Sequence, residues 1–119
     1  MAIRNLSTRN VMAAAYGTDN PYGALFTADP GTSDTATGEV TGGSPAYNRK
    51  ALSWGAAAAS VITSGATVFD VPASTTVTYF AVASSVTPAA ATIGDSVAVT
   101  SQAFASQGTY TVTATYTQT

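Results

Sequence analysis

The chain carries six carboxylates but no histidine and no cysteine, which narrows its means for acid–base, nucleophilic or metal chemistry. Without histidine there is no Ser-His-Asp or Cys-His device, no imidazole metal site and no ordinary proton shuttle near neutral pH. Hydrolysis by paired carboxylates needs two acids brought into one cleft. Asp19, Asp29, Asp34, Glu39, Asp70 and Asp95 are scattered, and most lie beside Gly, Pro or Asn, which reads as turn formation. Asp29, Asp34 and Glu39 share one stretch that could wrap a Ca²⁺ with backbone carbonyls, yet their spacing matches no EF-hand loop. The glycines of 38–43 form neither GxGxxG nor GxxxxGKS/T and lack a βαβ context, so no phosphate cradle is expected. The chain reads as non-enzymatic, with no metal and no cofactor.

The residues that could recognise a partner are few. The cations are Arg4, Arg9, Arg49 and Lys50, and the net charge is −2. Nucleic-acid binding needs clustered Lys and Arg to displace counterions, so it is not expected. The stretch 38–55 concentrates the rest: the single Trp54, Tyr47, the Gly42-Gly43 pair, Arg49 and Lys50. Arg49 and Lys50 either meet an acidic partner surface or pair with Glu39 or Asp34 inside the domain. Trp54 is either a core anchor or a contact. Tyr22, Tyr47, Tyr79, Tyr110 and Tyr116 could join it in a sugar-stacking platform, but their alternating positions favour half-buried core. The expected partner contacts are Tyr47, Arg49, Lys50 and Trp54, with Arg4 and Arg9 at the N-terminal segment.

Mostly strands must position these groups. A short helix over 7–16 is predicted, capped by Ser7 or Thr8, with Leu6, Val11, Met12 and Ala15 on one face and Gly17 as its stop. Asp19-Asn20-Pro21 is turn chemistry, 22–27 a strand, Asp29-Pro30-Gly31 a sharp turn, and the segment on to Gly43 an ordered loop. A second strand is expected within 46–57, with Leu52 and Trp54 on one face. Ala56–Ala59 reads as strand edge or turn before Val61-Ile62-Thr63. Val68–Val71 should stop at Pro72 as a strand at a sheet margin. In 75–83, Val77, Tyr79 and Ala81 are assigned one face and Phe80 and Val82 the other. Residues 87–94 connect to a strand at 97–101. The last segment is the clearest: Tyr110, Val112, Ala114 and Tyr116 alternate with threonines, giving a half-buried strand with a hydroxyl outer face.

Six to seven strands without α/β alternation predict a mainly β protein, a single antiparallel β-sandwich of jelly-roll or Ig-like kind with a short N-terminal helix. At 119 residues one domain is expected, with 1–20 as a helical arm and 21–119 as the sandwich. Only 8% of residues are charged, and Ala supplies much of the 45% hydrophobic share. Large apolar side chains are therefore scarce and the core thin, which favours a subunit steadied by neighbours. No apolar run approaches the length of a membrane span, and 1–5 lack a secretory core, so a soluble polypeptide without a membrane partner is expected.

Read as whole phrases, Ala-Leu-Phe-Thr-Ala-Asp-Pro-Gly (24–31), the 38–55 stretch from Gly-Glu-Val-Thr-Gly-Gly to Ala-Leu-Ser-Trp-Gly, Phe-Asp-Val-Pro-Ala (69–73) and Ser-Gln-Gly-Thr-Tyr-Thr-Val (106–112) carry a resemblance. The chain resembles a family of small virion proteins encoded by tailed phages of actinobacteria, labelled minor tail, tail-fibre-like or head decoration proteins. The resemblance covers nearly the full chain and is weakest at 56–66 and 84–96. It implies a structural subunit of a phage particle with no catalytic residues to transfer. Head against tail is left open by the family labels. Low charge, one domain and a threonine face lean toward a capsid role, since a tail fibre more often adds a coiled coil or repeated shaft. The expectation is a capsid decoration or minor capsid protein on the virion. Made in the host cytoplasm, it would bind the major capsid protein in many copies, stabilise the head shell and be a homo-oligomer within the particle. The alternatives are a minor tail or baseplate component contacting tail proteins, and a host-surface carbohydrate-binding module.

Overall fold

A computed structural model describes residues 3–31, 37–88 and 92–119, and within them eight strands follow one helix. The helix α1 spans Leu6–Asp19 and is capped by Asn5, whose Oδ1 accepts from the Thr8 amide at 3.1 Å. This cap lies ahead of the predicted Ser7 or Thr8. Gly17 does not stop the helix but sits inside it, because Asn20 ends it instead, donating its backbone N–H and its Nδ2 to the Tyr16 carbonyl.

The docking face of α1 also differs from expectation. Ala13 and Gly17 are buried, while Leu6, Val11, Met12 and Ala15 are exposed. A Cβ on Gly17 would lie 3.1 Å from both Ile62 and Trp54, so the helix approaches through its smallest residues and turns the large ones outward. It rests on β3 (Val61–Thr63) as a docked element rather than a loose arm.

The remaining chain is an antiparallel β-sandwich. One layer is a four-stranded sheet ordered β2-β1-β5-β6, made of β2 (Lys50–Ala51), β1 (Tyr22–Phe26), β5 (Thr75–Ala83) and β6 (Ile93–Phe104). β1 pairs with β5 from Tyr22↔Ala83 to Phe26↔Tyr79. Two ladders form the other layer: β4 (Thr67–Val71) with β7 (Gly108–Val112), and β3 with β8 (Thr115–Thr117). Leu25, Val77, Phe80 and Val82 of the first layer meet Phe69 and Val71 of β4, with Phe69 set edge-on to Phe80 at 6.4 Å.

Sandwich and alternation were legible, whereas strand counts and faces shift where ladders break. The strand predicted within 46–57 shrinks to Lys50–Ala51 plus an isolated bridge, Trp54↔Ser64. Leu52 and Trp54 nevertheless pack on the same core cluster. The 109–117 strand keeps its alternation with threonines outside, but divides at Thr113–Ala114 because each half pairs with a different partner. In β5 the register slips between Val77 and Tyr79, so Val77 joins Phe80 and Val82 in the core instead of Tyr79 and Ala81. The last strand before the C-terminal segment is longer than 97–101, since Ile93 and Gly94, assigned to the connection, already pair or lie within β6. β4 does stop at Pro72, and Ala58–Val61 is a tight turn.

Candidate functional site

The 38–55 stretch spends its charge inward. Gly38 and Val40 bond across to β1: Thr27 N–H donates to the Gly38 carbonyl at 2.8 Å and Val40 N–H to the Leu25 carbonyl at 3.0 Å. The free Leu25 amide donates to the Tyr47 hydroxyl, which in turn donates to Glu39 Oε2 at 2.9 Å. Arg49 completes the group as a fork, with Nε on Glu39 Oε2 at 2.8 Å and Nη2 on Oε1 at 2.7 Å. Its Nη1 reaches the Ser85 and Thr87 carbonyls and Thr92 Oγ1. One guanidinium thus ties three separate stretches of chain to the sheet.

Tyr47 and Arg49 are 7% and 3% exposed. Both side chains are turned inward instead of being displayed as the expected partner contacts, and Arg49 pairs with Glu39. Asp34 lies outside the described residues, as does its part in any cation site. Burial pushes the Tyr47 hydroxyl well above the ordinary tyrosine range, opposed by the Leu25 amide and reinforced by the Glu39 carboxylate. Lys50 is half-buried in the short β2. The Gly42-Gly43 pair has positive φ at both residues, and a Cβ on Gly43 would meet Gln107 Oε1 at 2.8 Å. Gln107 clamps that turn from β7's approach, accepting from the Ser44 amide and donating to the Pro45 carbonyl.

At the N-terminal segment the two cations part company. Arg4 is exposed, with its carbonyl accepting from Arg9. Arg9 is half-buried and donates from Nε to Ser60 Oγ at 2.7 Å, while Asn10 Oδ1 accepts from the Ser60 amide at 2.8 Å. These bonds hold a two-residue turn in which Ala59 and Ser60 both have positive φ, 50° and 68°. The turn closes with Ala58 and Val61 exchanging both backbone bonds. Without Gly or Asn at either central position it needs outside support, which the helix gives.

Trp54 is half-buried, packs on the core, and donates Nε1–H to the Asn20 carbonyl at 2.9 Å. It borders a cleft of about 400 Å³ on the open side of the sandwich, with Phe80 and Val82 as floor, β6 as one wall and Val112 to Tyr116 as the other. Tyr16 and Tyr116 stack at 3.7 Å at the cleft end, and the Tyr16 hydroxyl donates to Asp95 Oδ2 at 2.9 Å. Burial, with that hydrogen bond second, holds the Tyr16 proton well above the usual range. The sequence predicts a turn at Asp95, beside Gly94. Asp95 stands in β6 opposite Val82, so its side chain shares the inner face. Only the alternation of 95, 97 and 99 hinted at this.

Among the described residues no group of three or more acidic side chains gathers as metal ligands. Among the described residues no helix is long and apolar enough to cross a membrane. No family model, curated protein or solved structure matches this chain.

Proposed function

We propose that the chain is a non-enzymatic structural protein of a phage virion, a decoration or minor capsid protein that binds and stabilises the assembled head shell. Support comes from the phrase resemblance and from how the fold distributes charge. The observation that carries the reading is the inward use of the 38–55 stretch: its arginine and buried tyrosine brace loops, leaving an outer surface of threonine and small residues. A surface so poor in charge is cheap to desolvate against another subunit, and many weak copies sum by avidity. The exposed Leu6, Val11 and Met12 of α1 offer the apolar part of such a contact, with Arg4 beside them.

Electron microscopy of intact particles labelled with an antibody against this chain tests the proposal. Label spread over the head supports it. Label confined to the tail rejects it in favour of the minor tail or baseplate reading.

A further inference from the structure

The sandwich is open along one side, and its inward-facing residues there are uncovered. Among the described residues, β6 is hydrogen-bonded as a strand only to β5, β7 only to β4 and β8 only to β3. β6 on one side and β7–β8 on the other therefore each present an unpaired edge to the cleft between them. Val97 stands opposite Phe80 and so points to the inner face, yet it is 58% exposed. Val112 and Ala114 across the cleft are likewise only half-buried although they pack on the core. Neither edge carries a lysine or a proline to block strand addition, and the one inward charge on β6, Asp95, lies at the cleft end, bonded to Tyr16.

We propose that this cleft takes an extended segment of another polypeptide, which adds as a strand between β6 and β7–β8 and completes the core. Backbone groups on the two edges supply sequence-independent hydrogen bonds, and Val97, Val99 and Val112 receive alternate apolar side chains. Charge selects the occupant. Among the described residues Asp95 is the single carboxylate lining the cleft, and it stands with the stacked pair Tyr16–Tyr116 at one end. A two-fold contact with a second copy would bring two such carboxylates to one interface with no free cation from the cleft to offset them. A segment carrying Arg or Lys at that end finds both a carboxylate and aromatic rings. The occupant is therefore a foreign strand with alternating apolar residues and a terminal cation. The inference stands on the cleft alone and does not depend on which particle or partner the protein serves.

The test uses the full chain and a synthetic peptide, acetyl-Arg-Val-Thr-Val-Thr-Val-Ser-Arg-amide, whose two arginines serve either strand direction. Amide hydrogen exchange by NMR is followed at 95–99 and 112–116, with Trp54 fluorescence giving the affinity. Binding should slow exchange at both edges at least tenfold. Replacing both arginines by Glu, or alternate amides by N-methyl groups, should weaken binding tenfold or more. Asp95→Asn should cost the arginine peptide several-fold and leave a peptide with neutral ends unchanged. Val97→Lys, at an exposed site, should abolish binding with an unchanged melting temperature. Exchange unaffected by the peptide would overturn the proposal. So would equal affinity for the N-methylated peptide, or concentration-dependent self-association that protects the same amides.

Discussion

An arginine only 3% exposed needs a counter-charge and acceptors for its nitrogens, and Arg49 has both. Glu39 takes a bidentate pair while Ser85, Thr87 and Thr92 take the rest. Arg49→Ala would strand a Glu39 side chain that is 14% exposed. It is expected to lower unfolding free energy by about 3–5 kcal/mol in urea titration. A loss below about 1 kcal/mol would show that water replaces the pair. Buried Tyr47 and half-buried Tyr16 make a separate prediction. Tyr16 and Tyr47 hold their protons more tightly folded than unfolded, so above the ordinary value of 10.0 the unfolded chain binds fewer protons than the folded one. Stability is then full below about pH 10 and falls as pH rises beyond it. Tyr16→Phe should flatten that fall between about pH 9 and pH 11 in the urea midpoint. An unaltered slope would refute the burial of that proton.

Elements meet here at small or strained positions. Asn20 ends α1, accepts from Trp54 and lies so close to Gly94 that a Cβ there would collide with its side chain. Gly94→Ala must move the helix cap or the start of β6, and should cost about 1–3 kcal/mol by thermal unfolding. A neutral result would mean that Asn20 is free to swing away. The Ala59–Ser60 turn works the other way. Its left-handed backbone is disfavoured for alanine by about 1 kcal/mol. Ala59→Gly is therefore expected to raise the melting temperature slightly, and a fall would show that the gain is outweighed by chain entropy. The helix supports this turn through Arg9 and Asn10, which explains why a marginal helix stays docked while its large apolar residues face away.

At the scale of the whole molecule, two apolar features remain uncovered: the outer face of α1 and the open cleft beside β6. A subunit that works by contact with neighbours accommodates both. Met12 is 46% exposed, so Met12→Asp should leave the melting temperature within a degree or so and, under the proposed virion role, reduce copies per particle several-fold, counted by quantitative gel or cryo-microscopy. Normal occupancy would remove α1 from the contact surface.

The sequence by itself determined the class of fold. Period-two alternation in 110–116, turn residues at regular spacing and the absence of helical periodicity after Gly17 depend only on local sterics and on which face is apolar. It also narrowed Arg49 to two fates and placed Leu52 and Trp54 on one face. Tertiary structure decided the rest. Arg49 became a brace because loops far apart in sequence converge on it, a convergence no local pattern encodes. The α1 face inverted because close approach to Trp54 and Ile62 favours Ala13 and Gly17 over larger, more apolar residues. Val77 changed sides through a bulge, and 108–117 divided between two partners, because register is set by the opposing strand. The cleft has no signature of its own in the chain: it exists because, among the described residues, β6 and β7–β8 find no strand between them.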